Sequence, residues 1–321
     1  MVTNKQIKHN NMKKTLIALA ALAMVAACNK AEVIEATQDN LIGFEAPFVD
    51  NATKATDNTY SGTKALAQFN VYGTVTGTAG TVNIFDGVSV TGNVGTTEWS
   101  YDAQYNQYWI PGADYDFVGV VDANVASKGD YNMPATLTTI ADDRTENNSN
   151  LKDMLYATAH VEDATATQDA VNMSFSHLLS KAQFTVTSTA TGGYYHSVTN
   201  IKVSNFETGT YTISDGSWTG TTAKDINFGS VTEVTAASGE KTNDTQMLLV
   251  PNAAKFNVTF TVDLYKGTTK LGTETKTIAV DTDLVKGNAY NFTIACSVGN
   301  PIKFTVTNDP TWATQPNVTI Q

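Results

Sequence analysis

Catalysis or metal binding in this chain would have to be built from four histidines, two cysteines and scattered carboxylates. The histidines are His9, His160, His177 and His196, and no two stand at metal-ligand spacing. Isolated histidines at strand ends or on the surface are the expectation. Ser176-His177 pairs a nucleophile type with a base type, but successive strand residues point to opposite faces, so the two cannot cooperate there. Asp114-x-Asp116 and Asp281-x-Asp283 offer paired carboxylates. Calcium needs about six to eight oxygen ligands and a glycine-punctuated loop, so these read as solvated turn aspartates. A glycosidase pair is defined by spatial separation, and nothing in the sequence marks one. P-loop, G-x-S-x-G, H-E-x-x-H and C-x-x-C patterns are all missing. The expectation is a protein with no catalytic residue, metal or cofactor.

The aromatic residues Trp99, Tyr101, Tyr105, Tyr108 and Trp109 crowd into one short stretch. One reading is a sugar-stacking platform in which Trp99, Tyr108 and Trp109 touch a glycan. The simpler reading is a hairpin, with 98–101 pairing to 108–110 across Asn106; cross-strand aromatic pairs stabilise such hairpins by about 0.2–1 kcal/mol each. The hairpin is expected, and a glycan-binding surface lipoprotein is the alternative function.

Cys28 offers a different chemistry, acylation. Lys13 and Lys14 form a short basic region, and Thr15 to Ala27 follow without a charge. That apolar run is shorter than the roughly 20 residues a spanning helix needs and fits a signal peptide. It ends in Val25-Ala26-Ala27-Cys28, which resembles a bacterial lipobox. Residues 1–27 are therefore expected to be a signal peptide with an upstream extension, since Met12 directly before the lysines has the look of the true start. Cys28 would carry lipid, and several acyl chains anchor a protein stably. Cys296 would then have no disulfide partner and serve as a small buried hydrophobe.

The remaining composition describes the elements that hold these residues. Net charge is −11 and Arg144 is the sole arginine, which removes any electrostatic basis for nucleic-acid binding. Hydrophobic residues make up 41 %, enough for a sizeable core, while charged residues make up only 16 %. Residues 28–40 read as a polar tether. From Leu41 onward the pattern has period two, as in 67–73, 115–121, 181–187 and 255–262, with Gln183, Asn257 and Thr259 facing away from apolar neighbours. Asp215-Gly216, Asn93-Val94-Gly95, Lys266-Gly267 and Lys286-Gly287-Asn288 supply turns. Met173 to Ser180 can make one helical turn. A boundary near residue 172 gives an N-terminal sandwich over 41–172 and a C-terminal one over 173–321.

In order along the chain, several segments resemble the fimbrillin family of Bacteroidetes-type bacteria, the type V pilins and Mfa-like lipoproteins. They are Trp99 with 108–111 and 115–119, Asp153-Met154-Leu155-Tyr156-Ala157, 175–181, 201–204 with 209–213, and Leu248-Leu249-Val250-Pro251-Asn252. The resemblance implies an all-β chain of two tandem transthyretin-like Greek-key β-sandwich domains behind a lipoprotein signal peptide. It also implies a surface fimbrial subunit, structural or adhesive, delivered to the outer membrane through its lipid. A trypsin-like protease removes the first strand in that family, and a strand from another subunit fills the groove by β-augmentation. Mapped here, Ile42, Phe44 and Ala46 lie on one face of the candidate removable strand. Lys54 is the natural cut and Lys64 the second choice; no arginine lies nearby. Val318 and Ile320, beyond Ile302, Phe304 and Val306, form a candidate donor strand, with pairing inside its own domain the other outcome. The implied partners are other fimbrial subunits, the outer membrane through lipid, and a host or bacterial surface receptor.

Overall fold

The computed structural model of the chain describes residues 40–49, 59–60, 64–92, 99–141, 151–243, 247–252 and 254–309. Cys28, Lys54, Val318 and Ile320 lie outside them, as do residues 1–39, which hold the expected signal peptide and nearly all of the expected tether. The fold is all-β, as expected, with no α-helix among the described residues.

The first sheet has seven strands, in the order β1 (Phe48–Val49), β11 (Ser174–His177), β10 (Leu155–Val161), β7 (Asp114–Val121), β4 (Gln68–Gly77), β5 (Gly80–Gly92) and β6 (Trp99–Ser100). Its alternating residues Phe69, Val71, Val75, Tyr115, Phe117, Leu155, Ala157 and Phe175 form one face of the first core. Segment 40–49 and the stretches 99–113 and 164–173 close that core from the other side. A two-stranded ladder, β2 (Thr59–Tyr60) with β3 (Lys64–Ala65), stands apart and contains the backbone of Lys64.

The second sandwich stacks two sheets. One runs β15 (Lys241–Thr242), β12 (Ser180–Ser188), β19 (Ala289–Cys296), β20 (Lys303–Asp309), with β16 (Met247–Leu249) also on β12. The other runs β18 (Thr269–Val280), β17 (Phe256–Lys266), β13 (Tyr194–Thr212), β9 (Pro134–Thr139), β8 (Ala123–Lys128), with β14 (Trp218–Val234) along β13. Phe184, Phe228, Phe260 and Phe292 fill the space between them. Cys296 is buried in this core, as its sequence context suggested, and burial pushes its thiol up to about 12.

Each sandwich carries the same tyrosine brace, of the kind that ties a strand start to the chain before it. The Tyr115 hydroxyl accepts from Ile110 N (2.8 Å) and donates to Tyr108 O (3.3 Å). The Tyr290 hydroxyl accepts from Val285 N (2.8 Å) and donates to Asp283 O (2.7 Å). In both cases the partners stand five and seven residues upstream.

A third core joins the sandwiches. Tyr72, Val118 and Val120, on the outer face of the first sheet, meet Leu137, Met154, Leu178, Leu179, Tyr211 and Val250. Residue 172, the expected divide, falls just before β11, which still pairs with β10 of the first sheet. The β8–β9 hairpin, well before it, pairs with β13 of the second sandwich. The chain crosses between β11 and β12 in only Leu178-Leu179, and that connector is bonded on both sides. Leu178 N donates to Met154 O and Gly287 N donates to Leu179 O, each at 2.9 Å.

Three local expectations are overturned. Met173–Ser180 forms no helical turn: exposed Ser174 and Ser176 alternate with buried Phe175 and His177, which is the period of a strand. The aromatic hairpin across Asn106 is not formed either. Trp99–Ser100 pairs with β5, and Tyr108 bridges Leu41 instead. A 3-10 turn over Ala103–Tyr105, capped by the Asp102 carboxylate accepting from Gln104 N, redirects the chain between them. Gln183, expected to face outward, is buried because β12 is a central strand covered on both faces.

Candidate functional site

Segment 40–49 enters the first core as an extended chain held by backbone on both edges. On one edge it runs antiparallel to 107–109: Ile42 N donates to Gln107 O (2.9 Å), and Trp109 N donates to Asn40 O (2.8 Å). On the other it runs parallel to the stretch around Val171. Val171 N donates to Gly43 O (2.8 Å) and Glu45 N donates to Val171 O (2.9 Å). The segment then continues as β1, paired in parallel with β11. The Tyr101 hydroxyl donates to Ile42 O at 2.7 Å, and burial pushes this phenol up to about 12.

Side chains fix the register. Ile42 is 0 % exposed and Phe44 2 %. Ala46 packs against the same cluster from a half-buried position, so the three residues expected on one face do share the core. Phe44 is the hub: its ring centroid lies 5.7 Å from Phe69, 5.9 Å from Phe85, 6.0 Å from Tyr101 and 5.9 Å from Phe117, all edge-to-face. Such pairs add about 0.5–1.5 kcal/mol each beyond area burial. Removing the segment would open a slot lined by aromatic rings and rimmed by unpaired backbone groups, which is what an incoming strand requires.

One wall of that slot is β11. Phe175 turns into the core, 5.4 Å from Phe69. Its ring fits because residue 119 is glycine: a Cβ there would lie 2.7 Å from Phe175 Cζ and 2.8 Å from Met173 Cε. At the far end of β11, buried His177 Nδ1 is 2.9 Å from the Oδ1 of fully buried Asp153. Lys181, on β12, has its pKa lowered by burial, against the attraction of the Asp153 charge.

The other singled-out residues scatter. Trp99 and Trp109 are buried, Trp99 stacked near Phe69 and Trp109 edge-on to Tyr115 at 4.7 Å. These indoles are core, so neither offers a ring face to a glycan. Tyr108 is half-buried, with its carbonyl in the Tyr115 brace. Ser176 and His177 do point to opposite faces. His160 is exposed and sits 2.7 Å from Asp116, which raises its pKa. His196 is buried beside the Ser188 hydroxyl at 2.8 Å, and burial lowers its pKa. Among the described residues, no three His, Cys, Asp or Glu side chains converge as metal ligands would.

Sequence reasoning missed the pairing of His177 with Asp153. Twenty-four positions separate them, and only the antiparallel register of β10 and β11 brings their ends together. The one available signal was an Asp directly before an apolar strand and a His ending the next.

The sequence profile of the fimbrillin-like family matches residues 53–310. Among solved structures, the fold is similar to a fimbrial protein from Bacteroides vulgatus, with TM-score 0.59, 17 % identity, and coverage of 84 % of this chain and 99 % of that one. A candidate cell adhesion protein from Bacteroides uniformis aligns with TM-score 0.49 and 19 % identity, over 85 % of this chain and 99 % of its own. The fimbrial anchor protein Mfa2 from Porphyromonas gingivalis aligns with TM-score 0.35 and 12 % identity, over 84 % and 98 %. The Bacteroides vulgatus protein shares the fold. No protein of curated function matches the sequence.

Proposed function

The chain belongs to the fimbrillin-like family, and we propose that it is a surface fimbrial subunit that assembles by exchanging segment 40–49 for a strand of another subunit. The observation that carries this reading is Phe44. It sits at the hub of the first core, yet it belongs to a segment joined to that core by edge hydrogen bonds and side-chain packing, with few regular strand pairs. An incoming strand would have to run in the direction of 40–49, antiparallel to 107–109, and place a large apolar side chain in the Phe44 position.

In this reading residues 1–27 export the chain, Cys28 carries the lipid that delivers it to the outer membrane, and residues 28–40 tether it. Cutting at Lys54, or at Lys64, frees the acylated segment. Val318 and Ile320 are the donor residues of the next subunit. The two fold units keep the division near residue 172 except that β11 stays with the first sheet and the β8–β9 hairpin with the second, and the third core joins them. The subunit's role is structural or adhesive rather than catalytic.

The test is proteolytic. The mature chain is cut at Lys54 with a trypsin-like protease and followed by native electrophoresis. A ladder of oligomers is expected. A cut chain that releases 40–49 and stays monomeric rules out the polymerising role.

A further inference from the structure

We propose that the buried His177–Asp153 pair is a clasp that holds the groove wall β11 in place while the groove is empty. The proposal rests on the reading that segment 40–49 leaves the first core. In the closed chain β11 is bonded on both edges, to β1 in parallel and to β10 through Leu155↔His177 and Tyr156↔Ser176. Departure of 40–49 takes β1 with it. A four-residue strand then remains, with one paired edge, two register pairs and a freshly opened side. A strand so lightly bonded is the natural place for local opening.

Two side chains oppose that opening. Phe175 packs into the core, but its register partner Val49 leaves with β1, and Phe69, which it touches, loses Phe44. His177 lies on the same face two residues further on, at the end of β11, where Leu178 N donates to Met154 O. Its bond to Asp153 includes no residue of 40–49 and is not removed with that segment. It ties the end of β11 to the residue that leads into β10. A bond from imidazole to a buried carboxylate is among the stronger kinds. His177 and Asp153 are thus positioning residues: their mutual bond involves no residue of 40–49, and it fixes the wall against which an incoming strand would pair. A binding slot preorganised in this way avoids ordering its wall during strand entry.

The test compares wild type, His177→Ala, Asp153→Ala and Asp153→Asn, each as the full mature chain before and after cutting and release of 40–49. Two readouts are used: amide exchange over residues 174–177, and binding of a labelled synthetic peptide of residues 40–49. Before the cut all four should protect β11, because β1 still pairs with it. After the cut, the alanine variants should lose β11 protection and peptide affinity by about tenfold or more, the scale of one buried charge-assisted hydrogen bond. Asp153→Asn keeps an acceptor oxygen and should stay closer to wild type in both. A purely structural role would lower protection equally before and after the cut. Equal exchange of β11 in cut wild type and cut His177→Ala would overturn the clasp. Should cut wild type fail to bind the peptide, the acceptor reading falls, while the exchange comparison still decides the clasp.

Discussion

The two sandwiches brace equivalent tyrosines with the same pair of bonds and close their cores in different ways. The first is closed by 40–49, whose Ile42 and Phe44 are buried but whose pairing consists of isolated bridges and the short β1. The second is flanked by β20, which has seven consecutive register pairs with β19, while its Phe304 and Val306 stay half-buried. Backbone pairing and core burial therefore come apart. The first segment is held by what it fills and the last strand by the ladder it extends. Losing the former leaves a hole where Ile42 and Phe44 sat. Losing the latter exposes the edge of β19 and uncovers Phe292, against which Phe304 stacks at 6.1 Å.

The largest test of this contrast is a pair of truncations. Phe44→Ala should cost about 3–5 kcal/mol in denaturant unfolding, the range for a fully buried phenylalanine. Phe304→Ala should cost about 1–2 kcal/mol, since its ring is only partly removed from water. Equal costs would abolish the distinction between the two closures. Next, Gly119→Ala should destabilise the first sandwich by roughly 1–3 kcal/mol, because the new methyl meets Phe175 and Met173. An unchanged unfolding midpoint would mean that the β11 wall gives way readily.

Acidity should move the two halves in opposite directions. Asp116 raises the pKa of His160 above its ordinary value of 6.5, so that bond contributes fully below the unfolded pKa and is lost as pH rises through the folded one. Burial lowers the pKa of His196, so the second sandwich keeps that contribution above 6.5 and loses it as pH falls through the folded value. Histidine titrations followed by NMR should bracket 6.5 from either side. His160 should return toward it in Asp116→Asn, and added salt should shrink its shift because the pair is exposed. The smallest effect concerns Cys296. With its thiol pushed up to about 12, it should resist a thiol reagent at neutral pH until the second sandwich unfolds. Rapid labelling of the native chain would show that this core opens more easily than its packing implies.

Much of the architecture was legible in the sequence because half-buried strands alternate. β4, β7, β12 and β17 all fall on the runs read as strands, and the burial of Cys296 followed from its strand context. What failed was whatever depended on partners far along the chain. The serine–phenylalanine–serine–histidine alternation of β11 was obscured by the adjoining Leu178-Leu179, which breaks the period because both leucines enter the third core. The aromatic stretch around Trp99 and Trp109 looked like its own hairpin, whereas its true backbone partners are β5 and residues 40–41, distant in sequence. The packing of segment 40–49 into the first core was readable from Ile42, Phe44 and Ala46, whereas the His177–Asp153 pair was not.

Strand β13 gives the molecule a mechanical character. Its nineteen residues span roughly 60 Å at the usual strand rise. One end pairs with β17 inside the second sandwich, and the other reaches β9 and the third core. A pull along this strut would load the β13–β14 ladder in shear, with its twelve register pairs sharing the tension rather than parting one by one.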